Sequence, residues 1–255
     1  MLKVVGMENK DKSNMGRDVI FRIKRFDGEK SYWSDFVVPA QKGMTVLEGL
    51  YYIKGTYDGS LSFRASCRMG ICGSCAMKIN DKPRLACETQ ILQLNSSKIK
   101  IEPLDNFRVL KDLITDFEGF FAKHEAVKPY LIRKDDNYAE PVELIQKPEE
   151  LHAYYDFTLC IKCGACFSVC PAAATRDDYL GPAAMAAAYR FNIDTRDEGR
   201  DERMFMVCSD VGVWRCHFAA ECSEVCPKNI EPAKAIQKLR FQAAVHMIKK
   251  ALKRW

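Results

Sequence analysis

Residues 160–171 read C-I-K-C-G-A-C-F-S-V-C-P, which places thiols at Cys160, Cys163, Cys166 and Cys170 ahead of Pro171. A C-x2-C-x2-C-x3-C-P run is a spacing by which thiolates bind iron–sulfur clusters, the fourth serving a different cluster from the first three. Three thiolates two residues apart can wrap one cube of iron and sulfide on a short irregular turn. The Cys-Pro pair ends that turn and directs the fourth sulfur elsewhere, because proline fixes its own φ and biases the preceding residue towards extended backbone. The cube then needs its last thiolate from farther along the chain.

Residues 216–227, C-H-F-A-A-E-C-S-E-V-C-P, supply one. Cys216, Cys222, Cys226 and Pro227 fall on Cys160, Cys166, Cys170 and Pro171, while Ala219 falls on Cys163. The chain therefore holds an internal repeat with one ligand missing. Crossed ligation assigns Cys160, Cys163, Cys166 and Cys226 to a [4Fe–4S] cube. It leaves three thiolates, Cys170, Cys216 and Cys222. Three suit a [3Fe–4S] cluster, or a cube whose fourth iron binds something other than cysteine. The three-iron reading is preferred, because the methyl of Ala219 cannot ligate iron.

A third set lies earlier. Cys67, Cys72, Cys75 and Cys87 give C-x4-C-x2-C-x11-C, the plant-type spacing for a [2Fe–2S] cluster with a distal fourth ligand. Gly70 and Gly73 inside this loop allow positive φ and a close approach of backbone N–H groups to sulfide.

The segments around that loop set its frame. Val19, Phe21 and Ile23 alternate with Ile20, Arg22 and Lys24 as in a strand, Asp27-Gly28 marks a turn, and Ser34–Pro39 returns as a second strand. Thr45-Val46-Leu47-Glu48 is a capping box opening a helix to Gly55. Ala76–Asn80 and Arg84–Glu88 flank a turn at Asp81-Lys82-Pro83, and Ile99–Pro103 reads as a closing strand. Strand, hairpin, helix and cysteine loop is the order of a β-grasp domain. Pro103–Asn106 marks the boundary. Asp105 or Asn106 then caps an expected helix whose core face carries Phe107, Leu110, Leu113, Ile114, Phe117, Phe120 and Phe121. Residues 128–150 read as loop, with Pro129, Pro141 and Pro148, and Pro232 opens a last helix carrying Ile236, Leu239, Ala243, Met247 and Leu252. The expected fold is α+β, divided into a polar tail at 1–16, a [2Fe–2S] β-grasp domain at 17–104 and a mostly helical two-cluster domain at 105–255.

The 255 residues carry 39 Lys and Arg against 34 Asp and Glu, a net charge of +5. Lys249, Lys250, Lys253 and Arg254 gather at the end, but no footprint of basic residues interleaved with aromatics points to nucleic acid. Met1–Gly16 has no apolar core of a secretion signal, and no run reaches the roughly 18–20 apolar residues of a membrane helix. The cysteines fall in metal-ligand spacings rather than as spread staples, which reads as reduced thiols in a cytoplasmic setting. Eleven of the twelve enter the three sets. Cys208 is left over and reads as a packing residue or spare thiol. Zinc is the rival metal, and a zinc-stabilised interaction protein the rival function. However, zinc sites pair two short knuckles, and 160–171 crowds too many thiolates together for that.

The residues S-C-R-M-G-I-C-G-S-C at 66–75, R-L-A-C at 84–87, K-P-Y-L-I at 128–132, C-I-K-C-G-A-C at 160–166, G-P-A-A at 181–184, G-V-W-R-C at 212–216 and S-E-V-C-P-K at 223–228 resemble the iron–sulfur subunit of succinate dehydrogenase and fumarate reductase. The resemblance implies a plant-type ferredoxin domain followed by a bacterial-ferredoxin-like one. It also implies an FAD-containing flavoprotein partner that interconverts succinate and fumarate, membrane-anchor subunits and a quinone. Electrons would pass singly through [2Fe–2S], [4Fe–4S] and [3Fe–4S] centres at the cytoplasmic face of the inner membrane. This chain has no G-x-G-x-x-G fingerprint, so it is expected to hold no flavin and to catalyse nothing alone. Pro171, Trp214 and His217 are the expected quinone edge.

Family members that oxidise succinate with ubiquinone carry tryptophans soon after the matching Cys-Pro, whereas Ala172, Ala173, Ala174 and Thr175 follow Pro171. His217 matches the succinate dehydrogenase side, Ser223–Lys228 the fumarate reductases. Direction and quinone type stay open, as does a non-quinone acceptor such as a thiol-linked reductase.

Overall fold

The computed structural model describes residues 16–134 and 143–252. The expected tail at 1–16 (Gly16 apart), Pro141, Lys253 and Arg254 lie outside the described residues. The chain opens with β1 (Arg17–Phe26) and β2 (Ser31–Ala40), paired antiparallel. The Asp27 carboxylate accepts from the N–H groups of Glu29 and Lys30, each at 2.9 Å, and closes the turn. Along β1 the burial alternates, with Val19, Phe21 and Ile23 fully enclosed and Ile20 outside. Helix α1 (Val46–Thr56) begins at the expected capping box: the Glu48 N–H donates to Thr45 Oγ1 at 3.2 Å and the Thr45 N–H to Glu48 Oε2 at 2.7 Å. Its Leu50 and Ile53 close the core over β1.

Strands β3 (Ala76–Ile79), β4 (Lys82–Leu85) and β5 (Lys98–Glu102) complete a five-stranded sheet in the order β2-β1-β5-β3-β4. β5 lies parallel to β1 and antiparallel to β3. It is thus a central strand, buried at Ile99 and Ile101, rather than a flank. The β3–β4 turn also differs from the expected Asp81-Lys82-Pro83. Asn80 and Asp81 make it, both at positive φ (47° and 64°), and Pro83 sits inside the edge strand β4, where a missing N–H is tolerated.

The helix expected from Asp105 or Asn106 to Phe121 does not form. In its place a hairpin of β6 (Val109–Lys111) and β7 (Ile114–Thr115) leads into α2 (Glu118–Glu125). Asn106 and Asp112 adopt left-handed backbone, and Asp112 explains why. Its carboxylate accepts from Arg25 Nε at 2.9 Å and from the N–H groups of Phe26 and Ser62, so the hairpin tip is held against β1. A buried arginine needs such a partner more than the chain needs local helix. The aromatic spacing still marks core: Phe107 stacks on Phe117 at 4.6 Å between centroids and reaches Phe167 at 5.2 Å. Leu110 and Phe121 instead face out.

Short helices α3 (Pro148–His152), α4 (Tyr155–Thr158), α5 (Ala165–Ser168), α6 (Pro171–Thr175), α7 (Gly181–Asn192), α8 (Arg200–Val207) and α9 (Glu221–Glu224) precede the long α10 (Pro232–Leu252). α7 and α10 share a core of Met185, Ala188, Ile236, Leu239 and Ala243, with Met204 and Val207 from α8. Met247 and Leu252, expected on that face, are 50% and 70% exposed. The fully buried Arg203 donates to Asp197 and to the carbonyls of Lys128 and Tyr130, which ties the 128–132 stretch to α8. No described helix is long and apolar enough to cross a membrane.

Candidate metal centres

The first cysteine loop is built from turned backbone. Arg68, Gly70 and Gly73 have φ of 60°, 70° and 73°, which points successive N–H groups inward. The N–H groups of Ile71 and Cys72 both reach Cys67 Sγ at 3.3 Å, that of Met69 at 3.5 Å, and that of Gly70 reaches Cys87 Sγ at 3.3 Å. Such a nest stabilises negative charge on sulfur. The β3–β4 register, Ala76 opposite Leu85, returns Cys87 beside Cys75. Hydrogen bonding from the Ser74 hydroxyl, then from the Cys67 N–H, brings the exposed Cys72 thiol down to about 6. Burial pushes Cys75 up to about 12.

Cys160, Cys163, Cys166 and Cys226 line one cavity, together with Phe120 and Ile230. Lys162 and Gly164 bend the turn with φ of 53° and 81°. Burial pushes Cys163 up to about 11 and Cys166 well above its ordinary value. Without iron the Cys163 and Cys166 thiols stay protonated, so loading a metal here must displace protons.

Cys170, Cys216 and Cys222 line a second cavity with Tyr179, His217 and Ala219. Phe218 donates its N–H to Cys216 Sγ at 3.4 Å, and burial pushes Cys222 up to about 11. The backbone repeats the first turn: Phe218 and Ala220 have φ of 57° and 64°, matching Lys162 and Gly164. α9 follows Ala220 as α5 follows Gly164. Ala219 thus occupies the bend that carries Cys163.

Pro171 and His217 line this cavity, whereas Trp214 does not; it lies on the preceding 3₁₀ turn and is 46% exposed. Sequence reasoning missed Tyr179, Phe218 and Arg240, whose guanidinium donates to the carbonyls of Val213 and Cys216. Only D-Y-L-G-P at 178–182 offered a signal for the first of them. Cys208, at the end of α8, packs against the helical core.

The three groups touch in sequence. A Cβ at Gly73 would meet Cys163 Cβ and the Ile161 carbonyl at 2.9 Å, so the first loop rests directly on the second turn. Cys75, Cys87 and Cys163 belong to one buried cluster. Farther on, α5 packs on α9, and Cys222 is among the charges that raise Cys166. Sulfur-rich cavities with aimed N–H donors suit iron–sulfur clusters, and the residues present fit that group.

Comparison with known proteins agrees with that chemistry. Residues 20–122 match the family described as 2Fe-2S iron-sulfur cluster binding domain, and residues 152–227 that described as 4Fe-4S dicluster domain. The chain is 46% identical to the fumarate reductase iron-sulfur subunit of Mycobacterium tuberculosis over 86% of its length and 89% of that protein's. It is 40% identical to the Haemophilus influenzae fumarate reductase iron-sulfur subunit, over 88% of this chain and 91% of that protein. Among solved structures, a chain of the Mycobacterium smegmatis Sdh1 complex in the apo form superposes with a TM-score of 0.84 at 25% identity, covering 91% of this chain and 97% of that one. With its mixed-sheet first part and helical cysteine-rich second part, the chain belongs to the iron–sulfur subunit family of fumarate reductase and succinate dehydrogenase.

Proposed function

We propose that this subunit carries single electrons between an FAD-containing flavoprotein, where succinate and fumarate interconvert, and a membrane quinone. [2Fe–2S] binds Cys67, Cys72, Cys75 and Cys87; [4Fe–4S] binds Cys160, Cys163, Cys166 and Cys226; [3Fe–4S] binds Cys170, Cys216 and Cys222. Anchor subunits hold the complex at the cytoplasmic face of the inner membrane. The observation that carries the reading is contiguity: the loop at Gly73 lies on Cys163, and α5 lies on α9, so three cysteine sets form one unbroken series. A two-electron flavin and a two-electron quinone need a one-electron wire between them, and the clusters supply that chemistry. The protein's part is to hold them in line, to exclude water from the inner thiols, and to tune each step through N–H donors and burial.

The quinone end is assigned to the rim of the second cavity, where Pro171, His217 and Phe218 are exposed together. Trp214 flanks it. The two parts divide at 104/105, where the Asp105 N–H donates to Ser168 Oγ and the Asn106 side-chain amide to the carbonyls of Phe167 and Cys170.

The test is to purify the complex through a tag on this chain. Covalent flavin and quinone-linked succinate or fumarate turnover are the expected result. Full cluster content without a flavoprotein partner would favour a non-quinone acceptor. His217→Ala should lower quinone-linked turnover while leaving turnover with artificial dyes intact; an unchanged quinone rate would remove His217 from the rim. Zinc draws less support. One tetrahedral zinc needs thiolates about 2.3 Å from a single point. Among the described residues no three His, Cys, Asp or Glu side chains are grouped to hold one ion. A cluster spreads its ligands over separate irons and needs no such convergence.

A further inference from the structure

Tyr179 is fully buried, in one core cluster with Phe167, Cys170, Ala172 and Ala183. It lines the cavity shared by Cys170, Cys216 and Cys222. Its hydroxyl has no hydrogen-bond partner among the described residues. Buried side-chain polar atoms of Asn192 and Gln237 there also lack a hydrogen-bond partner, as does one of Glu102, which is ion-paired with Lys100 instead. Tyr179 alone of these residues lines either cysteine cavity. Buried hydroxyls in folded proteins are ordinarily bonded, so an orphan beside three thiols points to an acceptor that arrives with the cluster.

We propose that the Tyr179 hydroxyl donates a hydrogen bond to a sulfur of the three-iron centre, either a sulfide or one of its thiolates, and raises that centre's reduction potential. The inference rests on the three-iron reading above. The buried side chains clustered with it are phenylalanine, alanine and cysteine, and no described residue accepts from the hydroxyl. A phenol is neutral at physiological pH, so its O–H is available as a donor. A donor to cluster sulfur stabilises the added negative charge of the reduced state, and the potential rises. The phenol acts here through the sulfur and not on the iron. Tyr179 is a positioning residue in this sense.

The experiment is an EPR-monitored redox titration of the whole complex, comparing wild type with Tyr179→Phe. The oxidised three-iron signal is recorded first in wild type. Its absence there would remove the three-iron reading itself; its presence lets the comparison test Tyr179 separately. Tyr179→Phe should shift the oxidised-to-reduced ratio at the wild-type midpoint about tenfold towards oxidised. That corresponds to a midpoint lower by about 59 mV for one electron. The [2Fe–2S] and [4Fe–4S] midpoints should stay in place. An unchanged three-iron midpoint would overturn the proposal and leave a trapped water as the hydroxyl's partner. If Tyr179→Phe fails to accumulate the cluster, 3,5-difluorotyrosine at position 179 keeps the shape with a more acidic phenol. The midpoint should then rise, and a midpoint that does not move overturns the proposal equally.

Discussion

The two arms of the internal repeat share a backbone and differ in one cysteine. Residues 160–170 and 216–226 each bend through two left-handed residues, enter a four-residue helix and leave through a residue near φ −90°, Val169 or Val225. One arm has Cys163 at the bend, the other Ala219. The second arm even keeps the left-handed site at Ala220, where the first has glycine, although a side chain there costs about 1 kcal/mol. The comparison teaches that the bend is held by packing and hydrogen bonding and not by the thiolate it presents. A thiol can therefore be absent from the bend without the loop losing its shape. Chemistry and backbone are separately adjustable at this site.

Four experiments probe that comparison. Making the first arm like the second, Cys163→Ala, should remove one iron per chain and abolish quinone-linked turnover, read by iron analysis and by assay of the complex. Retained iron would mean that Cys163 is not a ligand. In the iron-free protein, thiol alkylation at pH 8 should leave Cys163 and Cys222 nearly inert. Both lie at about 11, so about one thousandth is thiolate, whereas Cys72, at about 6, is almost fully ionised. Mass spectrometry across pH should show Cys72 labelling fall as the pH drops through about 6. The two arm thiols should climb together towards pH 11, and a divergence between them would break their equivalence.

Making the second arm like the first, Ala219→Cys, should add one iron and erase the oxidised three-iron signal. Turnover should fall about tenfold if the new centre's potential drops by about 59 mV. The smallest effects concern the backbone. A Cβ at Gly164 would meet Phe107 and Phe117 at 3.0 Å on a backbone of φ 81°, so Gly164→Ala should cost about 2 kcal/mol in thermal unfolding. Ala220→Gly should be neutral or stabilising by less than about 1 kcal/mol. Equal costs at both positions would mean that the two bends are not equivalent.

Much of this was legible in the sequence because cysteine spacing is a local code with few solutions. The β-grasp first part, the helical second part and the family followed from short motifs and alternating residues. The capping box at Thr45 and Glu48 was readable for the same reason, since both partners lie within one turn. The hairpin at 109–115 was not. Its cause is the pairing of Asp112 with Arg25, 87 residues apart, and no local pattern announces a buried ion pair. The phenylalanines at helical spacing misled because stacking of Phe107 on Phe117 serves a hairpin as well as a helix. The neighbours of Tyr179 were equally hidden, because Cys170 precedes it and Cys216 and Cys222 arrive from the far arm. Spacing indicates which thiols gather, and it is silent about the side chains that close over them.

The most direct test of unequal arms is low-temperature EPR on the anaerobically purified complex, as isolated and after dithionite reduction. The account predicts an oxidised three-iron signal as isolated, replaced on reduction by signals of a [2Fe–2S] and a [4Fe–4S] centre. Full iron loading with no oxidised three-iron signal would contradict it, because both arms would then hold complete cubes despite Ala219.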